Sequence, residues 1–134
     1  MSADVNIKTV EQAYDAFGRG DVAAILDLVS DDVDWGAETT STVAPWYGAR
    51  RGKDGVAKFF ADYGTAMEVQ EFTPISVAAN ENDVLTVVRL RATSRATGRS
   101  VAMDVHHVFT FRDGLISHYR GTEDTAQTEA ALRS

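Results

Sequence analysis

The 134-residue sequence contains no cysteine, two prolines, and thirteen basic against twenty acidic side chains. The first absence excludes disulfides, thiolate nucleophiles and thiolate metal sites. The net charge of −7 argues against nucleic acid as a partner, because binding to phosphate backbones rests on clustered Lys and Arg. No apolar run approaches the ~18 residues of a membrane span, and the N-terminus lacks a basic stretch leading into an apolar core. Neither membrane nor secretion is therefore expected, and the reading is a cytoplasmic protein. The three histidines have no carboxylate at ligand spacing, and no glycine-rich phosphate loop or Ser-His-Asp order is present, so no metal or cofactor is expected. What is there is 44% hydrophobic content, enough for one domain over residues 1–134 with a real core.

Apolar residues first recur at helical spacing. Ile7, Val10, Tyr14 and Phe17 share one stripe, which predicts a helix over residues 4–18 capped by Asp4 and stopped by Gly18 and Gly20. Asp21 caps a second, shorter helix with Val22, Ile25, Leu26 and Val29 as its buried positions. Val33-Asp34-Trp35 then alternates like a short strand entering the core through Trp35. The irregular stretch 36–51 holds Glu38, Trp46 and Tyr47; loop aromatics of this kind close over a cavity or pack on the body of the domain. Gly52-Lys53-Asp54-Gly55 leads into a third helix of about 13 residues, with Val56, Phe59, Phe60, Tyr63 and Met67 in register.

From Val69 the period falls to two. Strands are expected over 72–79, bent near Pro74, and over 84–93. Thr97-Gly98 reads as a tight turn, setting Val88 opposite His107, Leu90 opposite Val105 and Ala92 opposite Met103. The other face then pairs Arg91 with Asp104 and Arg89 with His106, a polar ladder suited to a homodimer through the outer sheet face.

The main functional clue is the hairpin joined at Asp113-Gly114, a pair favoured in type I′ turns because both central residues need φ > 0. With these two as the loop, Phe111 faces Ile116, Phe109 faces His118, and His107 faces Arg120. Met103, Val105, Phe109 and Phe111 then share the inner face with His107, His118 and Arg120, and His106 turns outward. Asp124-Thr125-Ala126-Gln127 reads as a capping box before a tail helix. Helices followed by strands indicate an α+β domain: a cone-shaped, curved antiparallel β-sheet covered by three N-terminal α-helices and open at one end.

The order of motifs resembles SnoaL-like, ketosteroid isomerase-related proteins of the nuclear transport factor two-like superfamily. The residues that carry it are Tyr14-Asp15-Ala16-Phe17 before Gly20-Asp21, Asp31-Asp32-Val33 before Trp35, Tyr47-Gly48 and Arg51-Gly52 before the Val56 helix, His107-Val108-Phe109 before Arg112-Asp113-Gly114, and Tyr119-Arg120 through Asp124-Thr125-Ala126. The resemblance implies the ketosteroid isomerase-like (cystatin-like) α+β barrel, a fold that hosts isomerases, polyketide cyclases, epoxide hydrolases, dehydratases and binders. The ketosteroid isomerase positions fall near Ala37, next to Glu38, near Ala13, next to Tyr14, and at His107, so none of the three catalytic residues is matched. The Arg-x-Asp part of the epoxide hydrolase set is absent at Arg89-Leu90-Arg91. For polyketide cyclase-like members, His107 is the nearest counterpart of the acid/base residue.

Candidate catalytic residues are His107 as acid/base, Arg120 as electrostatic stabiliser and Glu38 as base. Tyr14, Phe17, Trp35, Trp46, Tyr47, Phe60, Tyr63, Met67, Val88, Val105, Phe109, His118 and Thr122 are the candidate ligand contacts. The expected ligand is a small hydrophobic carbonyl or polycyclic molecule, turned over without a cofactor; a non-catalytic carrier is the competing reading.

Overall fold

The chain enters its first helix earlier than the Asp4 cap expected from the sequence: the Ser2 side chain accepts from the Val5 N–H and starts α1 at Ala3–Gly18. The computed structural model of the protein describes residues 2–133. Asp21 does cap α2 (Val22–Leu26), but that helix ends so soon that Val29 belongs instead to the first strand, β1 (Val29–Ala37). The irregular stretch closes with β2 (Gly48–Arg51), which folds back on β1 with Trp35 opposite Arg50. Next come α3 (Gly52–Ala66), β3 (Met67–Ala79), β4 (Asp83–Ser94), β5 (Ser100–Arg112), β6 (Leu115–Thr122) and α4 (Thr125–Leu132), the last capped by Asp124. Among the described residues, no helix is long and apolar enough to cross a membrane.

One curved, unclosed six-stranded sheet results, in the order β2-β1-β6-β5-β4-β3, antiparallel except where β1 runs alongside β6. Its inner face carries the core. Val33, Trp35, Val84, Val88, Phe109 and Ile116 are buried there together with Val10 from α1 and Val56 from α3. Edge strand β3 is broken by two register shifts, at Val69/Glu71 and Pro74/Ser76, which realises the bend expected at Pro74.

Two registers differ from those expected. The turn at Thr97-Gly98 is wider: residues 95–98 form the loop, closed by the Ser94 N–H donating to the Arg99 carbonyl at 2.8 Å. This slides β4 along β5 by two residues, so Val88 meets Val105, Leu90 meets Met103 and Ala92 meets Val101. Because a shift of two preserves parity, the same residues still face inward. On the outer face Arg89 pairs with Asp104, while Arg91 lies opposite Ala102 and Val87 opposite His106.

The second difference has more effect. Asp113 (φ 54) and Gly114 (φ 80) make the expected turn, with Arg112 opposite Leu115 and Phe111 opposite Ile116. Then Ser117 bulges out, its hydroxyl donating to the Thr110 carbonyl at 3.2 Å. Beyond it Thr110 meets His118, Phe109 meets Tyr119, Val108 meets Arg120, and His107 meets Gly121. A one-residue insertion exchanges the faces of every residue that follows. Tyr119, not Arg120 or His118, therefore enters the core.

Candidate functional site

A cavity of about 100 Å³ opens between α1, α3 and the inner face of the sheet. Its walls are aromatic: Tyr14 and Phe17 come from α1, Trp35 from β1, Phe59, Phe60 and Tyr63 from α3, Phe72 from β3, Phe109 from β5 and Tyr119 from β6. Helical spacing in α1 and α3 and alternation in the strands bring these rings together. Trp35 stacks on Tyr119, with centroids 4.1 Å apart and 25° between planes, and Phe109 packs against Tyr119 at 5.0 Å.

Into this apolar enclosure the fold places a short hydrogen-bonded chain. The Tyr14 hydroxyl lies 2.7 Å from His107 Nδ1 and 2.6 Å from Thr86 Oγ1. Thr86 and His107 are directly opposite on β4 and β5, so their side chains project side by side toward α1. Two proton arrangements satisfy the chain: Tyr14 donates to Nδ1 and accepts from Thr86, or the reverse. In the first, the imidazole keeps its Nε2–H as a donor with no partner within the described residues. Burial, reinforced by the neighbouring His106, pushes the His107 pKa down to about 3, so the ring is neutral. Burial also raises the Tyr14, Tyr63 and Tyr119 phenols well above their ordinary value. Neither His107 Nε2 nor the hydroxyls of Tyr63 and Tyr119 hydrogen-bond within the described residues, although all three rings line the cavity.

Gly121 shapes the same wall. A Cβ there would fall 2.5 Å from the Tyr119 hydroxyl and 3.2 Å from His107 Cδ2, so a side chain would displace the groups that face the ligand space. One carboxylate also reaches the cavity. Glu123, in the short link between β6 and α4, is half-buried and accepts from the Tyr47 hydroxyl at 3.0 Å and from the Thr128 hydroxyl.

The structure gathers Tyr14, Phe17, Trp35, Trp46, Phe60, Tyr63, Val105, His107, Phe109 and Thr122 from the expected set around this cavity. It separates the others. Arg120, displaced by the Ser117 bulge, lies on the outer face and pairs with Asp34 at 2.9 Å and Glu38 at 3.3 Å. His118 sits on that face too, and Glu38 lines the shallow outer depression, not the cavity. Met67 and Val88 are buried core, and Tyr47 acts on Glu123 without lining the cavity itself. Reading the residues alone missed Thr86, Phe72, Tyr119, Gly121 and Glu123. Phe72 had a visible signal, an aromatic on a strand; Tyr119 and Gly121 gave none, because a hairpin without the Ser117 bulge turns both outward.

Comparisons with known proteins agree with this architecture. An NTF2-like protein of unknown function from Burkholderia pseudomallei superposes with a TM-score of 0.90 at 25% identity, covering 100% of both chains. TerC, crystallised with polyporic acid, gives 0.85 at 23% identity over 97% of this chain and 99% of its own. A Mesorhizobium loti protein assigned as a SnoaL-like polyketide cyclase gives 0.70 at 19% identity, over 86% and 96%. No functionally curated protein matches the sequence. The SnoaL-like domain model matches residues 10–119, most of the chain, and the protein therefore belongs to the SnoaL-like domain family.

Proposed function

We propose that the protein binds a small, largely apolar carbonyl compound in the inner cavity and moves a proton on it, with the Nε2–H of His107 donating to the carbonyl oxygen and Tyr14 fixing that tautomer. The observation that carries this reading is the Tyr14–His107–Thr86 chain, set in an aromatic enclosure and leaving Nε2 free toward the ligand space. Neutral donors held in a dry site stabilise charge that develops on an oxygen without reorganising during the reaction. At about 100 Å³ the cavity is smaller than the roughly 150 Å³ apolar cavity that accepts benzene and far below the about 300–1,000 Å³ of sites for drug-sized ligands, so a single ring is the most it supports. A polycyclic ligand would require the aromatic walls to move apart.

A binding protein without turnover is the second reading. It is favoured by the His107 pKa of about 3, far below the neutral range in which an imidazole base trades protons effectively. In either case the molecule would work as a cytoplasmic homodimer, paired through the outer face where Leu85, Val87 and Val108 lie beside the Arg89–Asp104 pair.

Titration with 4-nitrophenol, a one-ring mimic of an enol, tests the cavity through the fluorescence of Trp35 and Trp46. The wild type is expected to bind, and Tyr14→Phe, which no longer holds His107 in the Nε2–H tautomer, to bind about 2- to 10-fold more weakly. Equal affinity in the two proteins would remove the proposed contact.

A further inference from the structure

Moving a proton on a neutral ligand requires a group that can accept one, and the imidazole of His107 is held neutral by apolar surroundings that oppose its protonation. Among the described residues lining the cavity, Glu123 is the one carboxylate. Its setting is unlike that of the surface acids. The Tyr47 and Thr128 hydroxyls both donate to Oε2, and Oε1 makes no hydrogen bond within the described residues. Tyr47 is buried and Thr128 is 2% exposed, so both anchors are themselves fixed. Tyr63 and Tyr119, which line the same cavity, also feel the charge of Glu123.

Resting on the cavity reading above, we propose that Glu123 is the catalytic base of this site, with Tyr47 and Thr128 as positioning residues. Oε1 takes a proton from the carbon next to the ligand carbonyl, and the electron pair of that C–H bond forms the C=C bond of an enolate. The charge settles on oxygen, which accepts from the Nε2–H of His107. Return of the proton from Glu123 to the same or a conjugated carbon restores the carboxylate and completes an exchange or isomerisation. The cycle is redox-neutral and uses no co-reactant. Two hydroxyls on one oxygen fix the carboxylate plane while leaving the other oxygen available, a preorganisation that an exposed glutamate lacks.

The experiment follows deuterium uptake at the α-carbon of cyclohexanone in heavy water by NMR, with 4-nitrophenol binding measured in parallel. Glu123→Gln is expected to slow exchange by about 10²- to 10⁴-fold, the usual contribution of a positioned base, while still binding 4-nitrophenol. Glu123→Ala, confirmed folded by its melting transition, is expected to regain exchange when formate is added. Wild-type exchange retained in Glu123→Gln, a folded Glu123→Ala that formate does not rescue, or a wild type that binds 4-nitrophenol without exchanging cyclohexanone would each overturn the assignment. A wild type that fails to bind 4-nitrophenol would overturn the cavity reading itself.

Discussion

His106 and His107 are neighbours in sequence on opposite faces of one strand, and the two faces support different chemistry. The outer face pairs its charges with one another: Arg89 with Asp104 in the open, and Arg120, only 20% exposed, with Asp34 and Glu38. The inner face carries neutral polar groups, Tyr14, Thr86, His107 and Tyr119, among aromatic rings, with Glu123 at its border. Parity along the strand, more than residue type, decides which of the two a titratable side chain joins. An exposed pair such as Arg89–Asp104 contributes little; polarity inside must be paired or left for a ligand.

Exchanging the side chains at 119 and 120, as Tyr119→Arg with Arg120→Tyr, is the most drastic way to break this division. It would put a guanidinium into the aromatic enclosure and take the phenol ring out of its stack on Trp35. An uncompensated buried charge costs about 3–5 kcal/mol, and loss of a large buried side chain roughly as much again. Together these are comparable with the ~5–15 kcal/mol stability of an ordinary domain. Loss of cooperative melting by circular dichroism is expected, and a wild-type transition would show that strand parity does not set the faces.

A change of pH gives an intermediate effect. The folded-state pKa of His107, about 3, lies below its ordinary value of 6.5. Between those values the unfolded chain binds a proton that the folded one refuses, so stability is complete above the upper limit and falls as pH drops toward the lower. From about pH 7 to about pH 5 the wild type should lose roughly 2 kcal/mol more than His107→Gln, read from urea midpoints. Parallel losses in the two proteins would place the imidazole in contact with water.

The smallest effect is expected outside. Arg89 and Asp104 are each about half exposed, at 55% and 45%, and 3.4 Å apart. Arg89→Ala should shift folding stability by about 1 kcal/mol or less. On the homodimer proposed above, its influence should appear instead in sedimentation, as a weaker self-association; an unaltered association would remove this pair from the proposed interface.

Much of the scaffold was legible from the residues because local chemistry and packing agree. The Asp21 cap, the Asp113-Gly114 turn, the aromatic stripe of α3 and the Asp124 cap are each set by short-range physics, whereas the Gln127 side chain expected to complete a capping box accepts instead from the Ala102 N–H. The site was legible only in part. Nothing marks Ser117 as a bulge, since its conformation depends on the sheet curving around the helices, and this one residue misplaced Arg120, His118 and Tyr119 together. Glu123 follows a strand and precedes a helix cap, where no periodicity reveals direction, and its anchors Tyr47 and Thr128 are far from one another in sequence. The error at residues 95–98 was harmless by comparison, because a slip of two keeps inner residues inside.

The interrupted outer strand also bears on solubility. β3 ends the sheet with an open backbone edge and exposes Ile75 at 44% and Val77 at 42%, the kind of apolar ribbon on which a further strand could grow. Pro74 offers no N–H there, and the two shifts in spacing break the even rhythm of donors and acceptors that an incoming strand must match. The kinks that curve the sheet around its cavity therefore also cap it at six strands, protecting the molecule from edge-to-edge polymerisation.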